Sequence, residues 1–539
     1  MGPESREQTP GFYLRCLCVW LFGVVLSGGV NAADWERQAR LNLQAIYTDN
    51  IERSANGETG ELVGVVRPGL SASASGARLR FGADYALTHS FHADDSDRDR
   101  TYHQLDGFAE LELVEDHLFF DLDAAASQQL IDAQAAAGVD LVAGNTGNIA
   151  TAWRLSGGPR WRQRLGGYGL AQAAYTYSVV DYSDGLNGST GGVFTASLDS
   201  GARTYPVFWN LSYLNESLDY EQGADRDRSR EHGEVTLGTR VTASTYVSGT
   251  YGFDRRDLLD TNGRSAPDND FWRLTAGWNP SSKTDLSVYH QERDFKSAAI
   301  AADAESSFWG ANARWSPNPR WSLNAGYGND FYGDTYNLGI FHRLRRVSWS
   351  LEHTEELTNA RAVLLDDALI GFLICPIGAL DLTSCRFPAP GEVPAPGSGE
   401  ELVGIVGTVP SLVEDDFVQR STRFSWAYRR AKSTWTLGLF QIDREAFAAD
   451  DLGRDRGASL GWWWRVGQRS TLELGANHVK KQFPVSPTLE ERRYRMGWRR
   501  TSGRGVDWSL LGERIEGERV GGAEFTEHRV TASVTVRTR

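Results

Sequence analysis

Charged residues recur two apart inside otherwise apolar runs. Arg78, Arg80 and Asp84 interleave with Leu79, Phe81, Ala83 and Tyr85. Arg273 sits between Trp272 and Leu274, Asp285 precedes Leu286, and Arg314 separates Ala313 from Trp315. Glu352, Glu473, Arg493, Arg495 and Asp507 occupy the same kind of position. In an extended chain such residues share one face. Their chemistry is non-covalent: they can keep a passage wet, tune the transit of charged solutes, or pair across strands and stiffen a wall. No nucleophile elbow, HExxH, CxxC or phosphate-loop motif accompanies them. The ten His are scattered. His89, His92 and Asp94 come nearest to a catalytic set, and solvated loop side chains explain them better. The carboxylates of "HADDSDRDR" (92–100) have the chemistry for weak calcium binding, with a solvated acidic loop again the plainer account. Nothing here indicates an enzyme or requires a cofactor.

The elements that carry these charges alternate with period two, which makes them strands with unlike faces. "WRLTAGWNPSSKTDLSVYHQ" (272–291) is two such strands around a polar turn. "RLNLQAIY" (40–47), "RLRFGADYAL" (78–87), "FWGANARW" (308–315), "TLELGANH" (471–478) and "VTASVTV" (530–536) repeat the pattern. Connections alternate between tight turns, such as 164–168, 279–283 and 429–433, and long acidic or Gly-rich segments, such as 48–61, 92–100 and 220–231. Short turns at the periplasm and long loops outside are the rhythm of a transmembrane β-barrel. Eleven short turns and twelve long connections predict an all-β, single antiparallel barrel of about 24 strands, within a range of 20–26. Trp278, Trp315, Trp321, Trp349, Trp435, Trp498 and Trp508 all lie close to short turns, where an interfacial aromatic girdle belongs. A soluble propeller or stacked sandwich would explain the alternation. It would not explain the long–short rhythm, and no fixed-length repeat is visible.

Composition agrees. The 539 residues carry a net charge of −14 and a mean hydropathy of −0.42. That balance excludes a helical membrane protein and disfavours nucleic acid as a partner, but suits a barrel in which only alternate residues meet lipid. Residues 1–32 read as a signal peptide, with Arg6 and Arg15 before the apolar run 16–30 and a small-residue site ending at Ala32. A short membrane anchor is the alternative, although the run is shorter than the roughly 18 residues a span needs. Residues 33–539 then form the barrel, whose first strand begins at once and leaves no room for an N-terminal plug domain. Within it, 359–416 is a long extracellular or mouth-occluding loop, and 132–148 reads as a short helix or an outside loop. Cys375 and Cys385 remain after cleavage; in an oxidising compartment they can close a small disulfide loop, or stay as free thiols.

The segment 41–87 resembles the opening of the outer-membrane barrel proteins associated with PEP-CTERM/exosortase systems. The likeness lies in Tyr47 to Asn50, Pro68 to Leu70 and Gly76 to Tyr85, and extends to "ASQQLID" (126–132) and 416–445. The final residues, Val536 to Arg539, depart from the aromatic end common among outer-membrane barrels. Loci of that family often carry exopolysaccharide genes. The resemblance therefore implies outer-membrane lipid as surroundings, and extracellular polysaccharide and envelope export machinery as partners. It implies no catalytic residues.

Overall fold

In a computed structural model, the described residues are 33–131, 140–144, 146–183, 187–221, 227–257, 268–295, 306–330, 332–358, 372–376, 400–404, 417–446, 451–483, 488–502, 505–518 and 523–538. They build one closed sheet of 24 strands, each antiparallel to its neighbours. The first strand, Ala33–Thr48, pairs with the second, Glu61–Gly76, and with the last, Glu524–Arg537. Closure runs from Arg40 opposite Arg537 to Thr48 opposite Arg529. Backbone bonds Asp49 N to His528 O (3.2 Å) and Thr538 N to Ala39 O (2.8 Å) extend the seam at either end. A closed sheet leaves no edge, so every backbone polar group within lipid is paired. Strands run from 10 residues (Trp321–Asp330) to 16 (Ala33–Thr48). The longer ones exceed the roughly 9–11 residues a tilted span needs and continue past the bilayer.

The eleven tight turns expected from sequence are the eleven short connections at one rim. Among the described residues, the one pair of strands outside the single sheet is antiparallel, Phe372–Pro376 with Glu400–Gly404, inside the long 359–416 segment. Cys375 lies on the first of these strands, while Cys385 and the pairing of the two cysteines lie outside the described residues. So does the leader-like segment 1–32.

Directly paired residues share a face, and the register carries that assignment around the barrel. Leu41, Leu43 and Tyr47 face one way, and through the pairings so do Leu62, Leu274, Val288, Leu439, Leu474, Leu510 and Val530. All are large, apolar and exposed. An outer-membrane-type barrel turns this band to lipid. The other face is polar and lines the interior.

Candidate functional site: the lumen wall and its mouth

Every charge singled out by its spacing falls on the interior register. Arg80 stands opposite Glu110, with the closest charged atoms 4.0 Å apart. Asp84 forms a paired contact with Arg40, both bonds at 2.5 Å. Asp285 and Arg314 face each other at 3.5 Å. Glu352 stands opposite Arg423. Arg493 is 3.2 Å from Glu491, and Asp507 is 3.2 Å from Arg537. Arg495 and Glu473 lie across Gly475 and Gly497, side chains against the wall. Arg78 continues the same parity but sits in the turn itself, exposed, 3.6 Å from Glu115.

Arg273 is placed differently. It donates to Gln291 at 2.8 Å and lies over the rings of Phe271 and Tyr289, at 5.5 and 5.0 Å. These rings lie flat because the residue opposite is glycine. A Cβ on Gly277 would come within 2.0 Å of Tyr246, and one on Gly310 within 2.1 Å of Tyr289. Small residues opposite large ones tile the wall.

The seven singled-out tryptophans fall on the exterior register beside the short turns. Several stack in clusters: Trp321 lies 4.0 Å from His342 and 5.8 Å from Trp349, and Trp435 lies 5.3 Å from Trp462. Trp278, Trp315, Trp498 and Trp508 point outward singly, all more than a third exposed.

The segment between the strands Leu118–Leu130 and Ile149–Arg164 holds a short 3-10 helix, Thr146–Asn148, where it is described, and the residues before it turn inward. Its residues Asp140 to Gly144 fold across to the seam between the first and last strands. Ala143 is buried among Ile46, Ile51, Val63 and Val65, and Leu141 packs beside Tyr102, Leu130 and Ile149. The Gly144 N–H donates to Ile51 O at 2.8 Å. Asp140 anchors the fold-over: Arg53 reaches it at 2.5 Å, Arg529 at 3.0 Å and Arg493 at 3.5 Å. Glu527, fully buried, braces the arginines at 3.0 Å from Arg53 and 2.8 Å from Arg529, and accepts from Thr48 Oγ1 at 2.8 Å. Burial alone would raise the Asp140 carboxyl; Arg529, Arg53 and Arg493 overcome it and hold the group well below the usual carboxylate range.

This buried latch was not legible from spacing. Only Arg493 was singled out beforehand. The available signal was parity: Glu527 and Arg529 fall on the interior side of a strand whose alternate residues, Val530 to Val536, are apolar.

The rim set does not converge on a reacting atom. His89 is on the exterior register and bonds Thr101 at 2.7 Å. The His92 N–H donates to Asp99 at 2.7 Å, and the Asp94 N–H donates to Glu61 at 2.8 Å. In the acidic run, Asp95 caps a short turn at Ser96–Arg98 by accepting from the Asp97 N–H. Among the described residues no group of three or more His, Cys, Asp or Glu is arranged to hold a metal ion.

No family model matches the chain, and no curated protein does. Solved structures similar to it include the siderophore receptor PirA from Acinetobacter baumannii, at 10% identity over 93% of this chain and 80% of that one, with a TM-score of 0.44. The FrpB iron transporter from Neisseria meningitidis is similar at 10% identity, over 94% of this chain and 83% of that one, with a TM-score of 0.43. Likeness of this depth carries no argument about what this chain binds.

Proposed function

We propose that the chain is a channel of the Gram-negative outer membrane through which extracellular polysaccharide passes, serving a PEP-CTERM/exosortase envelope system. The supporting observation is a closed 24-strand barrel with a polar, charged inner face. Barrels of about 16–18 strands already enclose a water channel, and diameter grows with strand number. The family likeness of 41–87 supplies the polysaccharide connection. Passage is passive: the wall provides wet charges and flat aromatic rings, and the driving force comes from elsewhere in the envelope. A second reading, a surface barrel without transport, draws on the Asp140 latch, which spans part of the mouth.

Deletion of the gene tests the proposal. Loss of polysaccharide outside the cell, with accumulation in the periplasm, is the expected result. Unchanged export refutes it and leaves a general porin or a structural barrel, which conductance in planar bilayers then separates.

A further inference from the structure

The short-turn rim is basic over most of its circumference, the turn 115–117 with Glu115 and Asp116 being the exception. Eight consecutive short turns, each taken with one flanking strand residue on either side, are 164–169, 200–207, 240–245, 281–284, 318–321, 343–347, 430–433 and 465–470. Together they hold twelve Lys or Arg and no Asp or Glu. The chain as a whole has 70 acidic against 56 basic residues, so this segregation runs against composition. At the other rim, residues 93–99 alone contribute four Asp against one Arg. The densest stretch of the basic rim is Arg343, Arg345, Arg346, Arg430 and Lys432, on adjacent turns and all exposed. Among the described residues, none of these five makes an ion pair.

We infer that the turn-side rim is an electrostatic entry for a polyanionic saccharide chain, one bearing carboxylates or phosphates along its length. The assignment rests on the channel reading above and narrows its substrate class. Three features favour a flexible polyanion over other anionic partners. The cations follow eight turns around the circumference, whereas a globular partner needs one compact footprint of about 800 Å². The ring turns inward as well as down: Arg343 and Arg240 stand on the interior register, opposite Ser348 and Tyr246, where lipid headgroups do not reach. The wall above it continues with Arg314 and Arg273, whose guanidinium, lying over the Tyr289 ring at 5.0 Å, faces the passage and can take an acid group. A mouth lined by one sign of charge raises the local concentration and entry rate of the opposite sign, by about 10- to 1,000-fold.

The test uses the whole barrel in planar bilayers, with Cys375 and Cys385 changed to Ser and orientation fixed by a biotin on Glu115→Cys, in an exposed turn outside the eight basic ones, and streptavidin added to one side. Polygalacturonate and neutral dextran of equal length are added in turn to each face, and current blockades are counted. The expected result is at least tenfold more frequent polygalacturonate events from the turn side than from the loop side. That excess should collapse when salt shortens the Debye length from about 10 Å to about 3 Å, while dextran shows no such salt dependence. The combined variant R343E/R345E/R430E/K432E should lower the turn-side polygalacturonate rate at least tenfold. If that variant fails to insert, the wild-type sidedness and salt dependence still decide. Dextran entry with no preference for the polyanion overturns this assignment and leaves the channel reading standing. Absence of any conductance overturns both.

Discussion

Replacing Asp140 by Asn removes the charge on which three arginines converge. Stripping one partner from a buried ion pair costs about 3–5 kcal/mol. Here the loss is smaller, because Arg53 and Arg529 keep Glu527 at 3.0 and 2.8 Å and Arg493 keeps Glu491 at 3.2 Å. A cost of about 2–3 kcal/mol remains, which at tenfold per 1.4 kcal/mol is a factor of roughly 30–150 in the opening equilibrium. Ala143 reports that opening, being 1% exposed among Ile46, Ile51, Val63 and Val65. With Cys375 and Cys385 changed to Ser and Ala143→Cys introduced, maleimide labelling should accelerate by that factor in Asp140→Asn. Retained heat-modifiable migration on gels shows that the barrel itself stays folded. The pH dependence has a definite sign. A carboxyl depressed in the folded state contributes stability that is present above its unfolded value of about 3.9 and is lost as pH falls through the lower folded value. Labelling of the Ala143→Cys protein, taken relative to the same thiol in the unfolded chain at each pH because only the thiolate reacts, should therefore stay flat from neutral pH to about pH 5 and rise only in stronger acid. Equal labelling with and without the Asp140 charge would refute the latch.

Face assignment makes a sharper contrast at neighbouring positions. Val288→Lys puts a charge on the lipid face near mid-strand and should cost about 2–4 kcal/mol in a barrel-unfolding titration, whereas Ser287→Lys on the lumen face should cost almost nothing; equal costs would invert or void the register. Gly277→Ala places a methyl 2.0 Å from the Tyr246 ring and should destabilise by about 1–3 kcal/mol, with recovery in Gly277→Ala/Tyr246→Ala seen by the same titration. Asp455→Ala leaves Arg444, its partner at 3.0 Å, and Lys481 buried without the carboxylate, so the barrel should lose about 3–5 kcal/mol; a milder Asp455→Glu result would show that charge rather than shape is responsible.

How much was legible follows from what period two encodes. Alternation fixes faces, and turn chemistry fixes where strands end. Trp278 and Leu286 therefore announced one face, Arg273 and Asp285 the other, and the polar turn between them the reversal. Strand number followed from the rhythm of connections, because each tight turn joins neighbours in a meander. Contacts between residues far apart in sequence are not periodic. Nothing near Asp140 signals that it meets Arg53, Arg493 and Arg529, separated from it by 87, 353 and 389 positions. The charge of the turn-side rim was legible in principle, since it is a property of turns alone.

Pairing and its absence divide the barrel along its axis. Toward the long loops, interior charges are buried and matched: Arg53, Asp140, Glu527 and Arg529 in one group, Arg444 with Asp455 in another, and Arg256 with Asp254 at 2.5 Å. Matched charges at short range cancel beyond a few ångströms and act as fasteners, holding the mouth and the closing seam. Toward the short turns some charges pair too, Asp507 with Arg537 at 3.2 Å and Arg78 with Glu115 at 3.6 Å, but Arg343, Arg345, Arg346, Arg430 and Lys432 are exposed and make no ion pair among the described residues, and their fields add. A solute approaching from the loop side meets acidic loops over a neutralised lining; one approaching from the turn side meets a net positive rim, densest at Arg343, Arg345, Arg346, Arg430 and Lys432. For the proposed polyanion, the side favoured for entry follows from which charges the fold pairs and which it leaves exposed.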